Sequence, residues 1–182
     1  MLRPLLKIIG NLLIAFLSFH SFAQSPAKPK VEVFVFLGSE CPISQKYMSR
    51  LNDIATKYDA SVIWTGLIAE NVKASVVKKF SEEYNAKFLI KKDDSFTLVQ
   101  KYGAEITPEV FVVVDGKVRY KGAIDNWFFE LGRYRTETTE HYLVNALSAI
   151  LKGEDPSVKE TEPIGCLIEV PSLEKNSAPH HH

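Results

Sequence analysis

Residues 31–42 read VEVFVFLGSECP, and this stretch decides the fold. Residues 31–37 are almost continuously apolar and are rich in β-branched and aromatic side chains, which predicts a strand buried on both faces. Pro42 suits the first position of a helix, so Cys41 is predicted to be the N-cap residue. The segment therefore predicts a cysteine between the end of a buried strand and the N-terminus of a helix.

Strand and helix patterns alternate outward from this segment. The predicted strands are 31–37, 61–68, 109–114 and 117–121, and the Asp115-Gly116 turn joins the last two as a hairpin. Predicted helices begin at Pro42, after a cap at Asn71, at Asp94 and at residue 138, and the last two end near Gly103 and Gly153. Because strand–helix–strand units form right-handed parallel crossovers, we predict an α/β fold. Its mixed central sheet has helices on both faces and an antiparallel edge hairpin.

The composition is that of an ordinary globular protein. The 182 residues contain 22 basic and 22 acidic side chains, and 46% of residues are hydrophobic. This composition excludes a disordered chain. Because the chain has no basic excess, we expect no nucleic-acid partner.

The N-terminus is typical of a cleavable secretory signal. Arg3 and Lys7 precede an apolar run over residues 8–19, and Ser21-Phe22-Ala23 offers small residues at a cleavage site. We predict a signal peptide over 1–23, a leader over 24–30, one domain over 31–152 and a tail over 153–182. The protein is then exported, periplasmic or extracellular, with no stable membrane insertion after cleavage. The alternative is an uncleaved membrane anchor.

Cys41 is the first candidate for chemistry. Unpaired N–H groups and the helix dipole stabilise an anion at a helix N-terminus, which lowers the pKa of a thiol placed there. The local motif is Cys41-Pro-Ile-Ser44, in which the Ser44 hydroxyl can donate to the sulfur. The alternative interpretation is that Cys41 is an inert, small buried hydrophobe.

A second signal is Ile106-Thr107-Pro108-Glu109, directly before the strand at 109–114. Proline is tolerated at the first residue of a strand but not inside a central one. A cis Thr107–Pro108 bond would aim the Thr107 backbone at whatever lies opposite, whereas base rates favour a trans bond.

Together these motifs resemble the thioredoxin superfamily, and in particular its redoxin branch of peroxiredoxin-like and alkyl hydroperoxide reductase/thiol-specific antioxidant relatives. The resemblance is carried by CPIS at 41–44, by DDSFTLVQKYGAEITPEVFVVVDGKVRYKGAIDN at 93–126 and by TEPIGCLIEV at 161–170. It covers roughly residues 30–170.

The resemblance implies a thioredoxin-like fold and a role for each matching residue. Cys41 matches the reactive cysteine, Pro108 the cis proline that faces it, and Thr107 the residue whose backbone contacts a bound thiol or peptide. The implied partners are protein thiols or disulfides, or a small peroxide, with an external thiol reductant. We expect no cofactor and no metal ion.

The sequence departs from its relatives at four positions. Ser44 stands where thioredoxins carry their second cysteine, and Val35 where they carry a buried carboxylate. Phe34 and Gly38 replace the proline and threonine of the peroxiredoxin motif Pro-x-x-x-Thr-x-x-Cys. A peroxidase would also need an arginine near Cys41, for which Arg119 is a candidate.

Cys166 is the only other cysteine and lies 125 residues after Cys41. It is a candidate resolving thiol, a structural disulfide partner or an idle thiol, and pairing is the default for an exported protein with two cysteines. Three functions remain open: a thiol redox protein in which Cys41, Ser44 and Cys166 act, a peroxidase, and a non-catalytic binding module with a structural disulfide.

Three further groups of residues have simple interpretations. Trp127, Phe128 and Phe129 are interpreted as core packing or as an apolar rim for a partner. The charged side chains near this cluster are interpreted as solvated loop residues: Asp125, Arg133 and Arg135. The terminal histidines, 180–182, are interpreted as a frayed tail or an expression remnant.

Overall fold

The structure is a computed structural model that describes residues 29–171. The predicted signal peptide and the terminal histidines lie outside the described residues. The strands are β1 Val31–Leu37, β2 Ile63–Ile68, β3 Leu89–Lys92, β4 Ile106–Thr107, β5 Glu109–Val114, β6 Lys117–Gly122, β7 Phe128–Glu130, β8 Arg133–Tyr134 and β9 Cys166–Leu167. The helices are α1 Pro42–Tyr58, α2 Ala74–Glu83, α3 Thr97–Tyr102 and α4 Tyr142–Leu151, with a single 3₁₀ turn at Asp94–Phe96 before α3.

The central sheet has five strands in the order β3-β2-β1-β5-β6. β1 runs parallel to β2 and antiparallel to β5, and β6 closes the edge as the antiparallel hairpin partner of β5. β1 and β5 have neighbours on both sides and helices above and below, which explains why both are almost wholly apolar. The predicted α/β fold with a mixed sheet is confirmed.

The sheet separates two apolar cores. The larger core contains the inward faces of α1, α2 and α4, represented by Leu51, Phe80 and Leu147. The smaller core lies on the opposite face, where Phe36 and Phe111 pack against Val99 of α3. The helices therefore cover both faces of the sheet, and the carboxyl end of β1 leads directly into α1.

The structure corrects three predicted helix starts. The N-cap residue of α2 is Lys73 and not Asn71. The chain reaches α3 through a kink with positive φ at Ser95 and Phe96, and the Asp93 carboxylate accepts the N–H groups at the start of the helix. α4 begins at Tyr142 and not at residue 138. Before α2 and α4 the polar residues belong to the preceding loop, and before α3 residues 94–96 form the 3₁₀ turn.

The segment before α4 also differs from the prediction. It contains the β7–β8 hairpin, and Asp125 at its start is buried, with only 6% of its surface exposed. The Asp125 carboxylate accepts hydrogen bonds from Tyr47 Oη at 2.6 Å and from Arg50 Nη1 at 3.0 Å. The prediction that Asp125 is solvated is therefore wrong, because α1 supplies two donors that replace water. Arg133 and Arg135 are exposed, as predicted.

The tail folds back along the domain. Lys121 N donates to Lys159 O at 3.0 Å, and Thr161 N donates to Lys121 O at 3.1 Å. Further on, β9 pairs antiparallel with β4, with Cys166 opposite Thr107. These contacts hold the C-terminal tail along the domain from β6 to the carboxyl end of β1. The sequence alone did not indicate this path.

Over the described range, 29–171, no helix combines the length and the apolar character needed to cross a bilayer.

Candidate redox site

Cys41 lies between the last residue of β1 and the first turn of α1. Its backbone is extended, and Pro42 occupies the first helical position, as the sequence predicted. The side chain is 4% exposed. Because the strand ends and the helix begins within four residues, the sulfur is held beside the unpaired N–H groups of the first turn.

Ser44 lies one turn into α1 and is fully buried. Its hydroxyl oxygen accepts the Gly38 N–H at 3.2 Å, which leaves the hydroxyl proton free for the Cys41 sulfur. Ser44 therefore joins the loop before the cysteine to the helix after it.

Thr107, the last residue of β4, faces Cys41. The Thr107–Pro108 peptide bond is cis, as the resemblance implied. The Thr107 carbonyl oxygen accepts the Cys41 thiol at 3.2 Å. The backbone of Thr107 is thus in direct contact with the sulfur, and base rates alone would have missed the cis bond.

Cys166 reaches the same point from the tail. Its Sγ lies 2.6 Å from Cys41 Sγ and donates its thiol hydrogen to it, and both cysteines are free thiols. Pairing of β9 with β4 produces this contact, supported by Ile168 N donating to Glu105 O at 2.8 Å. The approach is so close that a β-carbon at Gly165 would lie 2.0 Å from the Thr107 carbonyl oxygen, so only glycine fits there.

The two thiols differ in acidity. Burial raises the pKa of Cys41, but hydrogen bonds from Cys166, from the backbone and hydroxyl of Ser44 and from the Ile43 N–H outweigh burial, so the pKa of Cys41 is lowered overall. Burial, the hydrogen bond to Cys41 and the charges of Cys41 and Glu70 raise the pKa of Cys166 to about 12. Cys41 is therefore the more acidic thiol of the pair, and the thiolate is the reactive form of a cysteine.

An open groove of about 510 Å³ runs past the two sulfurs. Its lining includes Glu40, Cys41, Ala69, Glu70, Asn71, Thr107, Cys166, Leu167, Ile168, Glu169 and Pro171. Leu167, beside the partly exposed Cys166, is 77% exposed. The groove gives an external group access to the pair from the side of the tail.

Glu70 is a site residue that sequence reasoning missed. Its carboxylate accepts Ser39 N at 2.8 Å and Ser39 Oγ at 2.5 Å, which holds it beside the loop that carries Cys41. A signal was present, because Glu70 follows β2, and the carboxyl ends of parallel neighbours such as β1 and β2 meet at one edge of a sheet.

The residues that peroxide chemistry needs are arranged differently here. Gly38 has no side chain, and a β-carbon there would lie 2.8 Å from Cys41 Cβ and 2.9 Å from Thr107 Oγ1, so the space for a threonine is already filled. Arg119, the candidate arginine, pairs with Asp155 and lines a separate cavity beside Tyr102. Within residues 29–171, no group of three or more His, Cys, Asp or Glu side chains is arranged to hold a metal ion.

The chain is similar to a known protein family and to proteins of solved structure. A family model described as the AhpC/TSA family matches residues 17–121. A hypothetical protein from Sinorhizobium meliloti 1021 has a similar solved structure, with a TM-score of 0.67, 23% identity, and coverage of 78% of this chain and 80% of that one. An uncharacterized conserved protein from Geobacillus kaustophilus is similar with a TM-score of 0.66 and 24% identity, covering 78% of each chain. At these identities the likeness shows the fold alone. The comparison with curated proteins gave no match.

Proposed function

The chain belongs to the AhpC/TSA family, in the redoxin branch of the thioredoxin superfamily, and from this premise we propose that it is an exported thiol–disulfide oxidoreductase. Cys41 is the attacking thiol and Cys166 is the resolving thiol. Ser44 and the N-terminus of α1 stabilise the Cys41 thiolate, and the Thr107–Pro108 turn shapes the groove in which a substrate sulfur approaches.

One observation carries this proposal: Cys166 Sγ lies 2.6 Å from Cys41 Sγ. The Cys41 thiolate attacks one sulfur of a substrate disulfide, which forms a mixed disulfide and releases the other substrate sulfur as a thiolate. Cys166 then loses its proton and attacks Cys41 Sγ, so the Cys41–Cys166 disulfide forms and the second substrate thiolate leaves. The substrate gains two electrons and the cysteine pair loses two.

An external thiol restores the reduced pair. Cys41 is 4% exposed while Cys166 is partly exposed, so an incoming thiolate reaches Cys166 first. Attack there releases Cys41, whose lowered pKa makes it the better leaving group. A second thiolate attacks the mixed disulfide on Cys166 and completes the reduction.

The filled space at Gly38 and the distant pairing of Arg119 favour disulfides over peroxides as substrates.

Export is part of the proposal and rests on Arg3, Lys7 and the apolar run that follows. If residues 1–23 are removed, the intact mass of the exported protein corresponds to a chain beginning at Gln24. A chain that retains Met1 and fractionates with membranes would support the anchor instead.

The function is tested with a peptide disulfide as substrate and intact mass as the readout. Wild type is expected to release both peptide thiols and to end as the internal disulfide. Cys166→Ser is expected to stop at a Cys41–peptide mixed disulfide, and Cys41→Ser to be inactive. Val158→Ala, an exposed change on the same tail outside the groove, serves as the control and is expected to behave as wild type.

Two outcomes would contradict the proposal. If neither cysteine variant changes thiol chemistry but both unfold more easily, the disulfide is structural. If hydrogen peroxide oxidises Cys41 much faster than any peptide disulfide does, the protein is a peroxidase.

A further inference from the structure

The charged side chains that line the groove beside the cysteine pair are all acidic. Its lining contains the three carboxylates of Glu40, Glu70 and Glu169, and none of the described lining residues is a lysine, arginine or histidine. The remaining walls are apolar, formed by residues such as Ala69, Leu167 and Pro171. A site of this kind attracts cations and repels anions.

The positive N-terminus of α1 does not offset this charge for an incoming group. Its free N–H groups face Cys41, which is almost fully buried beneath the tail. The more exposed cysteine of the pair is Cys166, whose pKa is raised in part by the charge of Glu70. The exposed side of the disulfide therefore carries the negative field of the groove.

Each carboxylate lies on a different segment around the sulfurs. Glu40 precedes α1, Glu70 follows β2, and Glu169 follows β9 on the tail. Glu70 is fixed by two hydrogen bonds from Ser39, while Glu40 and Glu169 are exposed. An approaching thiol thus meets negative charge from the helix side, from the sheet side and from the tail.

We propose that the external reductant of this site is a cationic thiol, such as the cysteine of a polypeptide segment flanked by basic and apolar side chains. This proposal rests on the proposed function, because it assigns the class of reductant for the same cysteine pair. The reductant thiolate attacks Cys166 Sγ of the disulfide and displaces the Cys41 thiolate, and a second thiolate releases the reductant as its own disulfide. Anionic small thiols are poor reductants of this pair.

The test measures reduction of the oxidised full-length protein by three small thiols of similar size: cysteamine, mercaptoethanol and mercaptoethanesulfonate. Rates are expressed per thiolate and are divided by the rate of each thiol with a neutral linear disulfide, which removes intrinsic nucleophilicity. We expect cysteamine to be about tenfold faster than mercaptoethanesulfonate at low salt, with mercaptoethanol between them. The ratio should fall towards one in about 1 M salt, where the Debye length is about 3 Å.

Glu169→Gln is expected to lower the cysteamine-to-sulfonate ratio by about two- to threefold, since it removes one groove charge. Glu162→Gln is the matched control, because Glu162 is an exposed acid on the same tail that does not line the groove, and it should leave the ratio unchanged. Equal normalised rates for all three thiols in wild type would overturn the inference while leaving the proposed function intact. A protein in which no Cys41–Cys166 disulfide forms would instead overturn the proposed function.

Discussion

Gly165→Ala separates the docking of the tail from the chemistry of its cysteine. The added β-carbon would lie 2.0 Å from the Thr107 carbonyl oxygen and 2.9 Å from Ile106 Cγ2. Because the nearest atom belongs to the backbone of β4, a side-chain rotation cannot relieve the overlap. The substitution therefore forces β9 away from β4 without changing either cysteine.

The size of the effect follows from the contacts that are lost. β9 is held by Ile168 N donating to Glu105 O at 2.8 Å and by Thr107 Oγ1 donating to Cys166 O at 3.4 Å. Each hydrogen bond contributes about 0.5–1.5 kcal/mol net. Loss of both weakens tail docking by about 1–3 kcal/mol, which corresponds to a roughly 5- to 150-fold smaller equilibrium constant for docking. In the proposed mechanism Cys166 attacks only from the docked tail, so resolution should slow by up to the same factor.

The assay follows a single turnover with a peptide disulfide, quenched with acid and read by intact mass. Gly165→Ala is expected to form the Cys41–peptide mixed disulfide and then to hold it, whereas wild type resolves it quickly. Val158→Ala, at a residue that is 45% exposed, removes apolar surface from the same tail outside the groove and without the clash, and it is expected to resolve normally. Resolution by Gly165→Ala at the wild-type rate would refute the reasoning, since pairing with β4 would then not be what presents Cys166.

Three further predictions concern acidity and stability. Cys166→Ala is expected to raise the pKa of Cys41, because it removes a hydrogen bond that lowers that pKa; the thiolate absorbance measured against pH in both proteins checks this. Burial raises the pKa of Glu109 in the folded state above its ordinary value of 4.5. At a pH between the ordinary pKa and the raised one, the folded state therefore binds more protons than the unfolded state. The unfolding free energy should therefore fall as pH rises through that window, and Glu109→Gln, followed by denaturant unfolding at several pH values, should remove the decrease. Asp125→Asn is expected to destabilise the fold by about 1–3 kcal/mol, because Arg50 loses its carboxylate, while thiol exchange rates stay at the wild-type level.

The parts of the fold that the sequence predicted well depend on local signals. β1 is a short apolar run, Pro42 marks the first helical position, and Asp115-Gly116 forms the β5–β6 turn, so each can be read within a few residues. The cis bond at Thr107–Pro108 is different, because local statistics oppose it and only the resemblance predicted it.

The parts that the sequence could not predict depend on distant partners. The sequence around Asp125 predicts a solvated side chain, because the hydroxyl that donates to its carboxylate belongs to Tyr47, 78 residues earlier. The path of the tail has the same origin: Gly122 and Gly165 permit the close approach of Thr161 and Thr107, but a glycine does not reveal its partner in advance. Glu70 joins the site because two strand ends meet at one sheet edge, which requires the strand order to be known.

The placement of the second thiol has a consequence for the whole chain. When both cysteines lie in one helical turn, their contact depends only on the helix, but here Ser44 occupies that position and the partner sulfur arrives from 125 residues away. Closing a loop of that length contributes about 4–5 kcal/mol to stability in the chain-entropy model. In the proposed cycle the oxidised protein would therefore hold its tail by a covalent bond, whereas the reduced protein holds it by the β4–β9 pairing and the contacts around Thr161. A substrate that occupies Cys41 must coexist with this tail until Cys166 resolves it, so the tail must remain docked while its cysteine moves. The close contact between Gly165 and the backbone of Thr107 fixes the position of β9 against β4. This contact can keep the tail docked while the Cys166 side chain moves.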